Sequence, residues 1–292
     1  MAFLSIDIGG TFIKFALIDE QQQLIHQQKT ATKENLDHAI LKQVEEIVIN
    51  TMSRYTISGI GISTAGIVDR DKGRIIYAGP TIKNYRGTNF KKYISDTFHL
   101  PVHVENDVNA ALLGERWKGA AMDDQDVFCI TLGTGIGGAY YHEGLMDGSY
   151  HQANSVGYLL YDSETETNFE MKASTSALNA RIQSEIGDDL TARQVFDRAK
   201  QGDHTCNTVI AAWAREVAKG LAQIILIVDP SSIIIGGGIS AQGPFLLKYI
   251  QQFIPQYLPI NFMKTKIKIA KLGNDAALYG AVYPFFGEES TC

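Results

Sequence analysis

The sequence predicts an α/β protein built from two related halves. The apolar segment Phe3–Ile8 is followed by a glycine turn at 9–11 and by a second apolar run, Phe12–Ile18. The same motif returns as Val127–Leu132, Gly133–Gly138 and Ala139–Tyr141. The repetition of one motif in both halves indicates an internal repeat, and strands mixed with helices are typical of α/β architecture.

The remaining elements follow from hydrophobic periodicity and from glycine and proline breaks. With 292 residues the chain is long enough for two domains, whose boundary is predicted near Glu115–Asp126. Further strands are predicted at Ile57–Ser63, Val102–Glu105, Ser232–Ile235 and Lys266–Ile269. Helices are predicted at Glu34–Met52, Asp107–Trp117, Ser176–Ile186, Ala192–Gln201, Thr205–Val228, from about Pro244, and at Ala276–Phe285.

Composition and charge exclude several classes of function. The chain has 26 Lys and Arg against 32 Asp and Glu, a net charge of −6, so a nucleic-acid partner is not expected. The three cysteines, Cys129, Cys206 and Cys292, form no CxxC pair and indicate neither a disulfide framework nor a zinc knuckle. No stretch reads as a signal peptide or as a membrane span. We therefore expect a cytoplasmic protein without a membrane partner.

Glycine turns that follow strands let backbone N–H groups approach an anion. Asp7 and Thr11 flank the first turn, Thr134 lies inside the second, and a third glycine run follows a predicted strand at 236–238. Together they predict phosphate binding, with the Asp7 carboxylate holding a hydrated Mg²⁺. The alternative is that the turns are hairpins that use glycine for its positive φ. The sequence lacks the P-loop and protein-kinase signatures. A dinucleotide site is not supported either, because residues 251–263, where its ribose-binding acidic residue would be expected, contain no Asp or Glu.

Asn106 and Asp107 lie where a predicted strand passes into a helix. Both residue types are preferred helix caps, so a structural role would explain them. The alternative is that Asp107 accepts the proton of an alcohol that attacks phosphorus, while Asn106 orients that alcohol. An ordinary carboxylate is expected to suffice for this step. The two residues alone leave both interpretations open.

Five motifs of the chain occur in the order and spacing of the ROK family, the bacterial sugar kinases of the actin/hexokinase superfamily. The resemblance covers nearly the whole chain. It implies two RNase-H-like domains with a central cleft, at 1–117 plus 275–292 and at 118–274, with ATP and Mg²⁺ as cofactors, a small sugar as substrate and a possible homodimer. The motifs are Asp7-Ile8-Gly9-Gly10-Thr11, Glu105-Asn106-Asp107, Leu132–Gly138, Ile235–Ile239 and Gly273–Ala277.

The resemblance also implies roles for individual residues. Asp107 would be the catalytic base, and Asn106, Glu170 and Gly66 would lie at the sugar. The nucleotide and its phosphates would be met by two groups of residues. These are Asp7, Gly9, Gly10 and Thr11 in the first half, and Gly133, Thr134, Gly135, Gly237 and Gly238 in the second.

The chain departs from the family where most members have Glu-x-Gly-His and a cysteine-rich zinc loop. Ser155 stands at the glutamate position and Tyr158 at the histidine position, and residues 159–168 contain no cysteine, so no zinc site is expected. Loss of charge and volume at Ser155, with a stacking face at Tyr158, predicts an anomeric end open to a β-glucoside such as cellobiose, phosphorylated on a 6-hydroxyl.

Two alternatives to a β-glucoside kinase remain. The loop could simply fold without zinc around a monosaccharide such as glucose or N-acetylmannosamine. A non-catalytic sugar sensor is the alternative from another class. Family members that regulate transcription carry a helix-turn-helix before the first hairpin; here that hairpin begins at Phe3 and the net charge is negative.

Overall fold

The computed structural model describes residues 2–79, 82–187 and 189–286. The chain divides into two compact units. Unit 1 comprises Met1–Met122, Gly148–Gln152 and Asn274–Cys292, and unit 2 comprises Asp123–Asp147 and Ala153–Gly273. The division inferred from the resemblance stays a prediction. The contact-based units differ from it because residues 118–122, 148–152 and 274 belong to unit 1.

Unit 1 contains a five-stranded sheet in the order β3-β2-β1-β4-β7. The first three strands along the chain pair antiparallel, while β1, β4 and β7 run parallel to one another. A two-stranded ribbon of β5 and β6 follows β4. The strands are β1 (Ala2–Ile8), β2 (Phe12–Asp19), β3 (Leu24–Ala31), β4 (Ile57–Thr64), β5 (Ile67–Asp69), β6 (Arg74–Tyr77) and β7 (Val102–Asn106).

Among the described residues of unit 1 there are four α-helices: α1 (Ala39–Met52), α2 (Phe90–Phe98), α3 (Asp107–Lys118) and the last helix, α9 (Ala276–Val282). Two glycines let α3 and α9 approach closely. A Cβ on Gly280 would lie 1.7 Å from the Ala110 carbonyl oxygen, and one on Gly114 would lie 2.0 Å from that of Ala276. Since no side chain fits in these gaps, α9 packs tightly against α3 within unit 1.

Unit 2 contains a four-stranded sheet in the order β11-β10-β8-β9. Its strands pack against the longest helix, α7, whose buried Trp213 lies in the core. The strands are β8 (Asp126–Leu132), β9 (Ile136–His142), β10 (Ser232–Gly236) and β11 (Lys266–Ile269). The helices are α4 (Phe169–Ala173), α5 (Thr175–Glu185), α6 (Ala192–Lys200), α7 (His204–Val228) and α8 (Pro244–Gln251).

Several elements differ from the sequence-based prediction. Helix α1 begins at Ala39 rather than Glu34, because Asp37 and His38 adopt positive φ and the Asn35 side chain accepts a hydrogen bond from the Ile40 N–H (3.1 Å). Strand β9 begins inside the glycine run, at Ile136. The prediction also missed β3, β5, β6, α2 and α4. Within the described part of the chain, no helix is long and apolar enough to cross a bilayer.

Candidate active site

The first glycine turn, Gly9–Thr11, joins β1 to β2 and exposes Gly10 and Thr11. The Gly9 N–H donates to the Phe12 carbonyl (3.0 Å), which closes the turn. Directly after β3, the Thr32 hydroxyl donates to the Gly9 carbonyl (2.7 Å). The tip of the turn is therefore held by its own hairpin and is open to solvent.

Asp7 lies on β1 just before this turn and is largely buried. Its Oδ1 accepts from the Ser63 hydroxyl (3.0 Å), and its Oδ2 faces the Lys14 ammonium at 3.3 Å. Both oxygens thus already have polar partners in unit 1. A hydrated Mg²⁺ fits here better than a directly bound one, because direct coordination would compete with Lys14 and because Mg²⁺ commonly keeps several waters.

Asn106 caps helix α3. Its Oδ1 accepts from the N–H groups of Val108 (2.9 Å) and Asn109 (3.1 Å). Its Nδ2 donates to the Gly66 carbonyl (2.8 Å) and to Asp107 Oδ1 (2.9 Å). Of the two sequence-based interpretations, the capping role is present, and the same amide also orients the Asp107 carboxyl.

Asp107 is the first residue of α3, and its Oδ1 also accepts from the Val108 N–H at 3.0 Å. Burial of the carboxyl, with the negative charge of Asp7 as the second cause, raises the pKa of Asp107 to about 7, although its hydrogen bonds to Val108 and Asn106 act in the opposite sense. The sequence-based expectation of an ordinary carboxylate therefore differs from the structure. A carboxyl with this pKa is well matched to general acid–base work near neutral pH.

Gly66 supplies the carbonyl that holds Asn106, so it supports the predicted acceptor site through its backbone. Its φ is +99°, and a Cβ would lie 2.6 Å from the Tyr77 carbonyl oxygen. Both facts require glycine. The fully buried Glu105, which precedes Asn106 in the chain, accepts from the Asn106 N–H (2.8 Å) and from the Asn109 side chain (2.9 Å). These two bonds fix the strand-to-helix junction.

The second glycine turn, Gly133–Gly135, joins β8 to β9 in unit 2. The Gly133 N–H donates to the Gly135 carbonyl (2.9 Å), and the Gly133 carbonyl accepts from the Thr175 N–H (2.9 Å). The turn borders a cavity of about 620 Å³ in unit 2. Three predicted nucleotide residues line this cavity, namely Gly133, Thr134 and Gly238.

Most of the other residues that line this cavity are polar, and these polar residues were not predicted from the sequence. Thr175, Ser176 and Asn179 come from α5, while Arg193, Asp197 and Lys200 come from α6. Gly237 is not among the lining residues. Its φ is +84° and a Cβ would lie 2.4 Å from the Leu132 carbonyl oxygen, so packing against β8 by itself requires glycine there.

Glu170, near the start of α4, lies against the second glycine turn. Its Oε2 accepts from the Ile136 N–H (2.7 Å). The same carboxylate also lies beside Gly157, where a Cβ would be 3.2 Å from Oε2. The predicted sugar contacts Ser155 and Tyr158 flank Gly157 in a 3₁₀ turn, and the Tyr158 side chain is 65% exposed. Unit 2 thus brings Ser155, Tyr158 and Glu170 into one neighbourhood.

The loop at 159–168 is closed by hydrogen bonds. Asp162 and Thr167 exchange backbone hydrogen bonds (2.8 and 3.2 Å), and the Asp162 carboxylate accepts from the Glu164 N–H and faces Lys172 at 3.2 Å. Hydrogen bonds from Thr165 and Lys172 lower the pKa of Asp162 to about 2. Over residues 2–79, 82–187 and 189–286, no group of three or more His, Cys, Asp or Glu side chains could hold a metal ion.

The sequence matches the ROK family over residues 3–285. The chain belongs to the ROK family. The β-glucoside kinase of Klebsiella pneumoniae is 30% identical to this ROK protein, over 98% of this chain and 96% of that one.

Solved structures of ROK proteins have the same fold. The ROK glucokinase of Streptomyces griseus in complex with glucose and AMPPNP is 28% identical, with a TM-score of 0.83 over 96% of this chain and 98% of that one. A ROK family protein of Streptococcus pneumoniae in complex with sucrose is 29% identical, with a TM-score of 0.85 over 99% of each chain. The predicted actin/hexokinase-type α/β fold is therefore confirmed.

Sequence reasoning did not identify the contacts that support the predicted residues. Lys14 and Ser63 hold Asp7, Glu105 holds Asn106, and Thr175 holds the second glycine turn. Lys14 stands three residues after the first turn, so its position on β2 opposite Asp7 could be predicted from the hairpin register. The contact between Glu170 and the turn depends on tertiary packing and left no signal in the local sequence.

Proposed function

We propose that this ROK protein is an ATP-dependent sugar kinase that phosphorylates a primary hydroxyl of a β-glucoside, with Asp107 as the general base. The observation that carries the proposal is the Asp107 carboxyl, oriented by Asn106 and with its pKa raised to about 7. The family membership and the relatives that bind sugars and an ATP analogue support the same reaction class.

In the proposed reaction the acceptor hydroxyl oxygen forms a bond to the γ-phosphorus. Its proton passes to the Asp107 carboxylate, and the bond between that phosphorus and the bridging oxygen breaks, so that ADP leaves. Phosphoryl transfer otherwise asks mainly for positioning and neutralisation of charge. Mg²⁺, when bound, would offset the charge of the phosphate oxygens, and we assign Asp7 to it through water.

We assign nucleotide binding to the backbone of the two glycine turns and to the cavity of unit 2. The Thr11 and Thr134 hydroxyls and the exposed turn amides are suited to bind phosphate oxygens, as anion-binding turns do. Gly238 lies on the wall of the cavity, where we place the adenosine. The polar side chains of α5 and α6 offer hydrogen bonds to a base and ribose.

A β-glucoside is favoured as acceptor by the residues around Glu170. Ser155 is small and exposed where a glutamate is usual in the family, and the exposed ring of Tyr158 offers a stacking face to a second sugar. The β-glucoside kinase relative supports this substrate class. The glucokinase relative with bound glucose supports the monosaccharide alternative.

The direct test is a coupled ADP-release assay with ATP and Mg²⁺ over a panel of sugars. The panel contains cellobiose, gentiobiose, salicin, glucose, N-acetylmannosamine and fructose. We expect the highest kcat/KM with the β-glucosides. Higher kcat/KM with a free monosaccharide would overturn the acceptor assignment and keep the kinase, whereas no turnover on any sugar would favour a non-catalytic sensor.

A substitution tests the role of Ser155. Ser155→Glu restores charge and volume at this position, so it should lower the cellobiose-to-glucose ratio of kcat/KM by about tenfold, the scale at which a pocket contact of about 1.4 kcal/mol discriminates. Ser163→Glu, at an exposed serine in the neighbouring loop, is the matched control and should leave the ratio unchanged. An unchanged ratio in Ser155→Glu would contradict the open-pocket explanation.

A further inference from the structure

We propose that Glu170 is a positioning residue for the nucleotide: its carboxylate holds the second glycine turn in the conformation that receives phosphate, apart from any contact with the sugar. This inference rests on the proposed function, because it assigns a second task to a residue already placed at the acceptor. The contacts that carry it all lie within unit 2.

The first observation is the hydrogen bond from the Ile136 N–H to Glu170 Oε2, at 2.7 Å. Ile136 is the residue directly after the turn and the first of β9. A backbone N–H bound to a carboxylate forms a charge-assisted hydrogen bond, which is stronger than one between neutral groups. The bond therefore fixes the point at which the chain leaves the turn.

The second observation is the fit between the carboxylate and Gly135. A Cβ on Gly135 would lie 2.5 Å from Oε2 and 3.1 Å from the carboxyl carbon of Glu170, and its nearest neighbours are all atoms of this one side chain. The φ of Gly135 lies outside the left-handed region that favours glycine. A side chain at position 135 would thus displace the Glu170 carboxylate, whereas the φ of the turn does not by itself require glycine there.

Glu170 can act as a brace because its own helix is held firmly. Asn168 caps α4 by accepting from the Met171 N–H (3.0 Å). The buried Phe169 ring fills the space beside Gly220 of α7, where a Cβ would lie 2.1 Å from the ring. At the other end of the turn, Thr175 of the next helix donates its N–H to the Gly133 carbonyl. Residues of α4 and α5 therefore hold the turn at both of its ends.

The charge of Glu170 separates the two tasks. A carboxylate close to bound phosphate repels it, and the amide oxygen of glutamine would still accept the Ile136 N–H, in a neutral and weaker hydrogen bond. For nucleotide binding, the weaker hydrogen bond and the relieved repulsion act in opposite directions and largely cancel, whereas a sugar hydroxyl only loses its stronger, ionised acceptor. Removing the side chain should weaken binding of both ligands, whereas removing only the charge should weaken binding of the sugar alone.

The test measures binding of AMPPNP with Mg²⁺ by titration calorimetry in the absence of sugar. Glu170→Ala should raise the nucleotide Kd about tenfold, equivalent to about 1.4 kcal/mol, and Glu170→Gln should keep it within about threefold of the wild type. Glu170→Gln should still raise the KM for the sugar. The matched control is Glu185→Ala, which removes an exposed glutamate of α5 that pairs with Arg181 and should leave the nucleotide Kd unchanged.

A double substitution keeps the proposal testable if Glu170→Ala unfolds. Gly135→Ala alone should raise the nucleotide Kd, because its Cβ displaces the carboxylate. In the Glu170→Ala background it should cause little further loss, since the obstructing side chain has gone. An unchanged nucleotide Kd in Glu170→Ala, equal losses in the Ala and Gln variants, or additive losses in the double variant would overturn the proposal. Absence of nucleotide binding by the wild type would instead contradict the proposed function.

Discussion

The two glycine turns share a sequence pattern but are held in different ways. In unit 1 the Gly9–Thr11 turn is closed by its own hairpin, and the hydroxyl of Thr32, the residue after β3, holds it further. In unit 2 the Gly133–Gly135 turn is held by side-chain and backbone groups of two helices, through Glu170 and Thr175. A repeated motif thus specifies the turn, while the surrounding fold specifies its support.

The chemistry beside the two turns differs as well. The first turn follows Asp7, which raises the pKa of Asp107 as the second cause after burial. The second turn borders a wide polar cavity. The two interacting carboxyl groups, Asp7 and Asp107, thus belong to unit 1. Of the cavities described beside the two turns, the larger one, about 620 Å³ against about 320 Å³ at Gly10, belongs to unit 2. We propose that unit 1 supplies the base and unit 2 most of the nucleotide contacts.

The largest expected effect is on turnover, and it comes from a substitution in unit 1. Asp107→Asn removes the proton acceptor and should lower kcat by about 1000-fold, within the range typical of general-base catalysis. Sugar binding, measured by calorimetry, should remain. Asp96→Asn, at an exposed position of α2 that pairs with Lys92, is the matched control. Turnover within tenfold of the wild type, about 1.4 kcal/mol of barrier, would show that Asp107 is not the base.

The packing around the second turn should be visible in stability. Gly237→Ala places a Cβ 2.4 Å from the Leu132 carbonyl at a φ of +84°, so we expect the free energy of unfolding to fall by about 2–3 kcal/mol. Gly243→Ala has the same sign of φ but open space around it, and should lose only about 1 kcal/mol. Urea denaturation measures both. Equal losses would mean that backbone strain, and not contact with β8, explains why position 237 requires glycine.

The smallest expected effects are those of the two threonine braces. Thr32→Val removes the hydrogen bond to the Gly9 carbonyl (2.7 Å), and Thr175→Val removes the one from its hydroxyl to the Leu132 carbonyl (3.0 Å). Each should lower the free energy of unfolding by about 1 kcal/mol, the net value of a typical hydrogen bond. If neither variant changed the urea midpoint, the hydroxyl groups would not contribute to holding the turns.

The fold class could be predicted from the sequence because the buried strands are apolar runs that end at glycines. Strand β3 escaped prediction because it is a polar edge strand, with His26, Gln27 and Gln28 among its residues. Asp107 and Asn106 were found from their motif. The raised pKa of Asp107 could not be predicted, since it depends on burial and on Asp7, a residue a hundred positions away in the sequence.

The same limit applies to the support of the second glycine turn. The motif located Glu170 as a sugar contact, but its hydrogen bond to Ile136 exists only because α4 packs on α7. Lys14 is the opposite case, since strand register alone places it opposite Asp7. Local pairing could therefore be read from the sequence, whereas contacts made by packed helices could not.

The pH dependence of kcat/KM for the sugar, from pH 5.5 to 9 at saturating ATP and Mg²⁺, tests most directly whether Asp107 takes the acceptor proton. The base acts in its ionised form, so a pKa of about 7 predicts a plateau above neutral pH. At pH 6 the value should fall to about a tenth of the plateau, one pH unit below the pKa. A profile that stays flat down to pH 5.5 would contradict the assignment of Asp107 as a base with a raised pKa.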